Sequence, residues 1–236
     1  MREKVLVIGA GIGGLCTALL LAPSGREIVM IERDGPLDTS DPDELFRNWK
    51  RNGVAHLRQS HAFLARLRVI MKEEHPALID QLLANGVREL PFDIWLTEQQ
   101  EAGYQPEPED EDLTMITSRR TTLEMTMRRY VETLPNVRLQ CGFRVERLLT
   151  RKGEDGILQV IGVQGMLDGV ETSLHADIVV DASGKGGIAS LSPLDDDLAP
   201  TRRRISTESA QVASERGPGG QVAAHPVDPA TRRRRR

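Results

Sequence analysis

Lys4-Val-Leu-Val-Ile8, running straight into Gly9-Ala-Gly11-Ile-Gly13-Gly14, decides the fold of this chain. The first five residues form a short apolar run of the kind that makes a buried parallel strand. A helix-length apolar stretch, Leu15 to Ala22, follows the glycines, and a second β-like run, Glu27-Ile-Val-Met-Ile31, ends at Glu32. Strand, G-x-G-x-x-G, helix, strand and acid together make the dinucleotide-binding βαβ unit. Glu32 stands 23 positions after Gly9, close to the ~20 the motif expects. Each part has a physical task. Gly9 permits the tight turn, Gly11 lets a pyrophosphate approach the backbone, and Gly14 lets helix and strand pack closely. The phosphates rest on free N–H groups at the positive helix end. Glu32 can accept hydrogen bonds from ribose hydroxyls, and its charge would repel a 2′-phosphate.

Working outward, the 236 residues are enough to bury a core. A formal net charge of −4 argues against a polyanion binder. Cys16 and Cys141 match neither a metal-ligand spacing nor a disulfide framework, so both read as buried thiols in a reducing, cytoplasmic setting. The glycine-broken N-terminal run is too short for a signal peptide or a membrane span. No membrane partner is expected.

After Glu32 the chain is polar, with Gly35-Pro36, Asp41-Pro42 and Asn52-Gly53 as turn signals and a short helix around Asp43–Lys50. Ser60 is read as the cap of a helix running from His61 through Met71. Pro76 opens another that ends at Asn85-Gly86. Leu90 to Leu96 reads as a strand and Glu98 to Asp112 as an acidic surface loop. A helix is expected over Arg120–Leu134. Val137–Cys141 reads as a strand, followed by an antiparallel meander over Phe143–Thr150, Ile157–Gly165 and Val170–His175. Asp177-Ile-Val-Val-Asp181 is a second buried parallel strand, running into Ala182-Ser-Gly-Lys-Gly-Gly187. Two glycine-rich turns thus lie at the carboxyl edge of one sheet, where a cofactor would lie.

Four segments of this order carry a family resemblance. VLVIGAGIGGL with IER at 31–33, RNGVAHLRQSHAFLARLR at 51–68, SRRTTLEMTMRR at 118–129 and ADIVVDASGKGG at 176–187 resemble the FAD-dependent monooxygenases related to aromatic hydroxylases. The likeness extends to the flavoprotein reductases and halogenases built the same way. It implies an α/β fold, a three-layer FAD/NAD(P)-binding Rossmann-like domain with a β-meander crossover and a helical insertion after the second strand. It also implies FAD as cofactor, NAD(P)H as transient reductant, O₂ and a small organic substrate. The cofactor-binding residues it implies are Gly9, Gly11, Gly14, Glu32, Arg33, Arg120 and Asp181. Arg33 would lie at the adenine or phosphate edge. Arg120, with Arg119 as its rival, matches the arginine that contacts the cofactor at the helix start. Asp181 either contacts ribose or phosphate or caps its own loop. His61 would pack at the start of a helix near the flavin.

Neither His56 nor His61 completes a metal-ligand set, no metal is expected, and no acid–base pair is nominated for catalysis. No G-x-S-x-G nucleophile arrangement supports hydrolase chemistry. The competing reading is a non-catalytic nucleotide-binding remnant or interaction module. An NAD-dependent dehydrogenase shares the fingerprint, but the meander and second glycine loop argue against it.

The resemblance covers residues 4–187, and members of the family continue with a substrate-binding sheet and a Gly-Asp motif absent here. Residues 1–187 therefore read as an FAD-binding domain, incomplete relative to the family, and 188–236 as a disordered basic tail. All eight aromatic residues precede position 144, and from Ile188 onward nine Arg stand against six acids. Such a tail is a solvated end, an arginine-rich binder of nucleic acid or acidic lipid, or an out-of-frame GC-rich reading frame. The abrupt change favours the last. Without aromatics for stacking, no nucleic-acid partner is expected.

Overall fold

The structure is a computed structural model that describes residues 2–51 and 53–184. The expected 188–236 tail and the 187/188 boundary lie outside the described residues.

Four strands form a parallel sheet in the order β10-β1-β2-β6: β1 (Lys4–Ile8), β2 (Glu27–Glu32), β6 (Val137–Cys141) and β10 (Ile178–Asp181). Strand β1 is central, with Val5 opposite both Ile28 and Ile178. Because side chains alternate across a strand, its apolar run feeds two cores. Val5 and Val7, with Ile28 and Met30, face the helices α1 (Ile12–Leu21) and α6 (Arg120–Glu132). Leu6 and Ile8, with Val29 and Ile31, face the meander β7 (Phe143–Lys152), β8 (Leu158–Leu167) and β9 (Val170–His175) through Phe143 and Val163. Helices, parallel sheet and meander are therefore three layers, in agreement with the fold the sequence implies.

The insertion between β2 and β6 holds α2 (Pro42–Asn48), α3 (Ala65–Glu74), α4 (Pro76–Ala84) and a second small sheet. That sheet runs β3 (Ser60–Phe63), β5 (Met115–Arg119), β4 (Arg88–Leu90), all antiparallel. His75, buried where α3 meets α4, ties the insertion to the main layers. Its Nε2 contacts the Leu19 carbonyl at 3.0 Å and its Nδ1 the Tyr130 hydroxyl at 3.2 Å.

Four local expectations in this insertion need correction, and outside it β10, expected to be buried, is half-exposed at the end of the described sheet, with Ile178 40 % exposed. Ser60 begins a strand instead of capping a helix, because residues 60–63 pair with 116–119, and α3 starts only at Ala65. His61 accordingly lies in β3 and not at a helix start. The strand expected over Leu90–Leu96 ends at Leu90. Pro91 has no N–H to continue a ladder, and Phe92–Trp95 turns into a 3-10 helix. The acidic loop contains α5 (Glu98–Glu101), started by a Thr97–Gln100 capping box, and a 3-10 helix, Pro108–Leu113. Strand β5 was not anticipated, since its sequence Met-Ile-Thr-Ser-Arg is too short to signal itself. Outside the insertion, Cys16 and Cys141 are half-buried and not fully buried.

Candidate nucleotide-binding site

The fingerprint turn is built by contact as much as by conformation. Gly9 holds φ at +98°, and its N–H donates to the Ile31 carbonyl at 2.7 Å. A Cβ on Gly9 would stand 2.7 Å from the carbonyl oxygen of Ala182 in the second loop. A Cβ on Gly14 would lie 1.9 Å from the Gly9 carbonyl oxygen, so α1 reaches its start only because that side chain is missing. Around Gly11, by contrast, a Cβ would meet nothing within 4 Å among the described residues. Gly11 is the extended N-cap of α1, and among the described residues no side chain caps the N–H groups beyond it. An uncapped helix start with open space before it is a ready anion site.

Glu32, at the end of β2, is 4 % exposed. Its Oε2 accepts from the Ala10 N–H at 3.0 Å, from Arg51 Nη2 at 2.5 Å and from Arg128 Nη2 at 3.2 Å; its Oε1 accepts from the Asp34 N–H at 3.1 Å. Burial pushes its carboxyl pKa up, but Arg51, Arg128 and the two backbone N–H groups prevail and hold it below the ordinary value. Arg51 also donates to Asp34 Oδ2 at 3.1 Å and to Glu124. Burial opposes the charge on Arg51, yet Glu124 and Glu32 raise its pKa overall. Arg128, fully buried, donates through Nε to the Ala10 carbonyl at 3.1 Å, and its Nη1 has no partner among the described residues. Burial and the neighbouring Arg51 lower its pKa. Both guanidiniums lie over the Trp49 ring, 5.4 Å and 5.1 Å from its centroid.

Arg120 and Arg119 part company. Arg120 turns inward to Glu124 at 2.8 Å and contacts His56, whereas Arg119 turns out to Asp43 and lies 4.4 Å over the Phe46 ring. The His56 and His61 rings stack with centroids 6.2 Å apart, one from a turn and one from β3. Burial, then Arg120 and His56, lower the His61 pKa. Arg33 is half exposed and lies against Gly53, where a Cβ would meet its Nη2 at 2.1 Å. Asp181 caps its own loop, accepting from the Ser183 N–H at 3.0 Å and hydroxyl at 2.5 Å. The structure thus brings Gly9, Gly11, Gly14 and Glu32 together at one edge of the sheet, with Asp181 ending the adjacent strand. Arg120 joins them through the chain Glu124–Arg51–Glu32.

Arg51, Arg128, Glu124 and Asp34 escaped the sequence reading. Glu124 and Arg128 stand beside the apolar Leu123, Met127 and Val131 of α6, a pattern that places charges on a buried helix, where each needs a partner; Glu124 finds Arg51 and Arg120, and Arg128 finds Glu32. Arg51 carries no such signal, because it sits in irregular chain between α2 and β3.

Residues 7–38 match the NAD(P)-binding Rossmann-like domain family. In solved structures the chain superposes on PqsL, a probable FAD-dependent monooxygenase from Pseudomonas aeruginosa, with a TM-score of 0.53 and 17 % identity, covering 84 % of this chain and 47 % of that one. It superposes on the flavin-dependent monooxygenase PieE, solved with FAD and substrate, with a TM-score of 0.54 and 17 % identity, over 81 % of this chain and 32 % of that one. The chain has the Rossmann-like fold of FAD-dependent monooxygenases. The halogenase CmlS shares it, with a TM-score of 0.54, 16 % identity and coverage of 80 % and 30 %. A curated relative, Protein Rv3254 of Mycobacterium tuberculosis, is 30 % identical over 197 residues, 78 % of this chain and 38 % of the relative. The chain therefore spans less than half the length of each of these proteins. Among the described residues no helix is long and apolar enough to cross a membrane. No cluster of three or more His, Cys, Asp or Glu that could hold a metal ion stands among them either.

Proposed function

We propose that this chain is the FAD-binding part of an FAD-dependent oxidoreductase of the monooxygenase type. The observation that carries the reading is the uncapped α1 start, with open space at Gly11, facing the carboxyl edge of the sheet beside Glu32. The residues fit the cofactor's adenosine and pyrophosphate half. The backbone of Gly9, Gly11 and Gly14 would receive the pyrophosphate, and Glu32 the ribose. Arg33 would flank the adenine edge, and Arg120 and Asp181 would border the site towards the flavin. When bound, FAD supplies the redox chemistry, accepting hydride from NAD(P)H and reducing O₂, with a small organic substrate as oxygen acceptor. The protein's part is to bind, orient and exclude water. The fold shared with PqsL and PieE supports this reading.

A second reading, a nucleotide-binding module without turnover, draws on the buried state of Glu32, whose carboxylate is already engaged by four donors. Titration of FAD fluorescence with the purified chain, with NAD as competitor, separates the readings. The oxidoreductase reading expects quenching that Gly11→Val abolishes and NAD does not compete away, followed by NAD(P)H oxidation. Quenching without oxidation would leave the binding module. No quenching by the folded chain would remove FAD from both.

A further inference from the structure

We propose that the start of α6 is a second anion site, at which His56, His61 and Arg120 hold the carboxylate or phosphate group of a small organic ligand. It stands apart from the α1 start assigned to the cofactor's pyrophosphate, and it goes beyond the FAD reading, because the anion alone probes it.

The positive end of a helix favours acids and disfavours cations. The first turn of α6 does the reverse: it holds no acid, its N-cap Arg119 makes no capping bond, and Arg120 is its first residue. Two more basic groups join from other elements. His56 comes from the turn before β3, and its Nε2 touches Arg120 Nη1. The β3–β5 pairing sets His61 opposite Ser118, on the strand that runs into α6, and its ring lies 6.2 Å from that of His56. Burial first, then Arg120 and His56, hold the His61 pKa down, and Glu124 offsets them only in part. Groups that oppose one another's charge in this way gather at functional sites. Their donors are also unspent. A guanidinium can only donate, so His56 Nε2 accepts and the His56 proton sits on Nδ1. Among the described residues nothing accepts from that N–H, and neither ring nitrogen of His61 has a partner. Arg120 uses Nε and Nη2 on Glu124, at 2.8 Å each, and keeps further N–H groups free. Glu124 cannot supply the missing acceptor, since it is fully buried and shared with Arg51. In the same first turn the fully buried Thr121 has a hydroxyl with no partner among the described residues. An oxyanion brings acceptor oxygens and a negative charge to the positive helix end. His56 is exposed, so such a group reaches the cluster from solvent.

The test titrates the intact chain with benzoate and, separately, with inorganic phosphate at constant ionic strength, following the histidine ring protons by NMR. With one of the two anions the His56 and His61 signals should shift and saturate, and the His61 titration should move up by about one pH unit, because an opposite charge now lies beside the ring. The exposed His175 serves as control and should stay in place. Arg120→Gln should weaken saturation roughly tenfold, the factor for losing one charge-assisted hydrogen bond. His56→Gln, at an exposed position, should weaken it several-fold and keeps the test decisive if Arg120→Gln does not fold. Saturation by benzoate supports a carboxylate ligand, and saturation by phosphate a phosphorylated one. No saturation by either anion, or equal shifts at His175, would overturn the site. Addition of FAD then separates the two sites. Anion binding that persists with FAD bound supports a distinct site, whereas its loss on saturation with FAD assigns the donors to the cofactor and overturns the proposal. If FAD does not quench at all, the FAD reading fails by itself, and the anion titration still decides the α6 site.

Discussion

Two glycine-rich loops end neighbouring strands of one parallel sheet, and they are held in opposite ways. The loop after β1 is fixed from far away in the chain: Glu32, Arg51 and Arg128 brace Ala10, and the start of α1 rests against the Gly9 carbonyl. Of the segment after β10 only residues 182–184 are described, and there the side-chain contact is local, Asp181 accepting from Ser183 two residues on. Both touch, since Ala182 fills the space beside Gly9 and bonds to the Ile8 carbonyl at 2.9 Å. The contrast teaches where preorganisation resides. A loop braced by buried charges keeps its shape before any ligand arrives, whereas one closed by an exposed Asx-type turn can be reshaped at little cost.

Substitutions sharpen or break that contrast. Glu32→Ala leaves two buried guanidiniums without their shared anion and should destabilise the fold by about 4 kcal/mol in chemical denaturation, the largest effect expected here. Because Glu32 titrates below its ordinary value in the folded state, its contribution is complete above the unfolded carboxyl pKa. It is lost as pH falls through the lower folded value. The wild type should therefore lose stability on acidification below about pH 4.5 more steeply than Glu32→Gln. Gly14→Ala forces a Cβ against a backbone oxygen that has no room to yield, and should cost about 3 kcal/mol. Gly9→Ala adds a left-handed strain and a contact with Ala182, for roughly 2 kcal/mol. Asp181→Ala should change stability by no more than about 0.5 kcal/mol. A loss for Asp181→Ala as large as that for Gly9→Ala would erase the distinction between the loops.

The same contrast explains what the sequence disclosed. The β1 turn, its helix and Glu32 were legible because each carries a local signal: apolar run, glycine spacing and acid at fixed offset. The Asp181 loop was legible for the same reason, and the two uses weighed for Asp181 include the cap seen here. Strand β3 was hidden because its partner β5 lies more than fifty residues away, and only the pairing turns Ser60–Phe63 from helix to strand. Arg51 was hidden for a related reason. Nothing near it in sequence says that it will meet Glu32, Asp34 and Glu124, which the fold gathers from the end of β2 and from α6. The different partners of Arg119 and Arg120 were hidden as well, because adjacent residues at a helix start point apart.

The central place of β1 sets the order of events during synthesis. Its partner on one side, β2, leaves the ribosome soon after it, but β10 on the other side begins with Val5 opposite Ile178. The amide of Lys4 and the carboxylate of Asp177, 173 positions apart, close that seam at 2.7 Å. Until β10 emerges, β1 presents a bare parallel edge of Val5, Leu6 and Val7 to the cell. Nascent chains halted before Asp177 should accordingly be the species that chaperones hold and proteases remove.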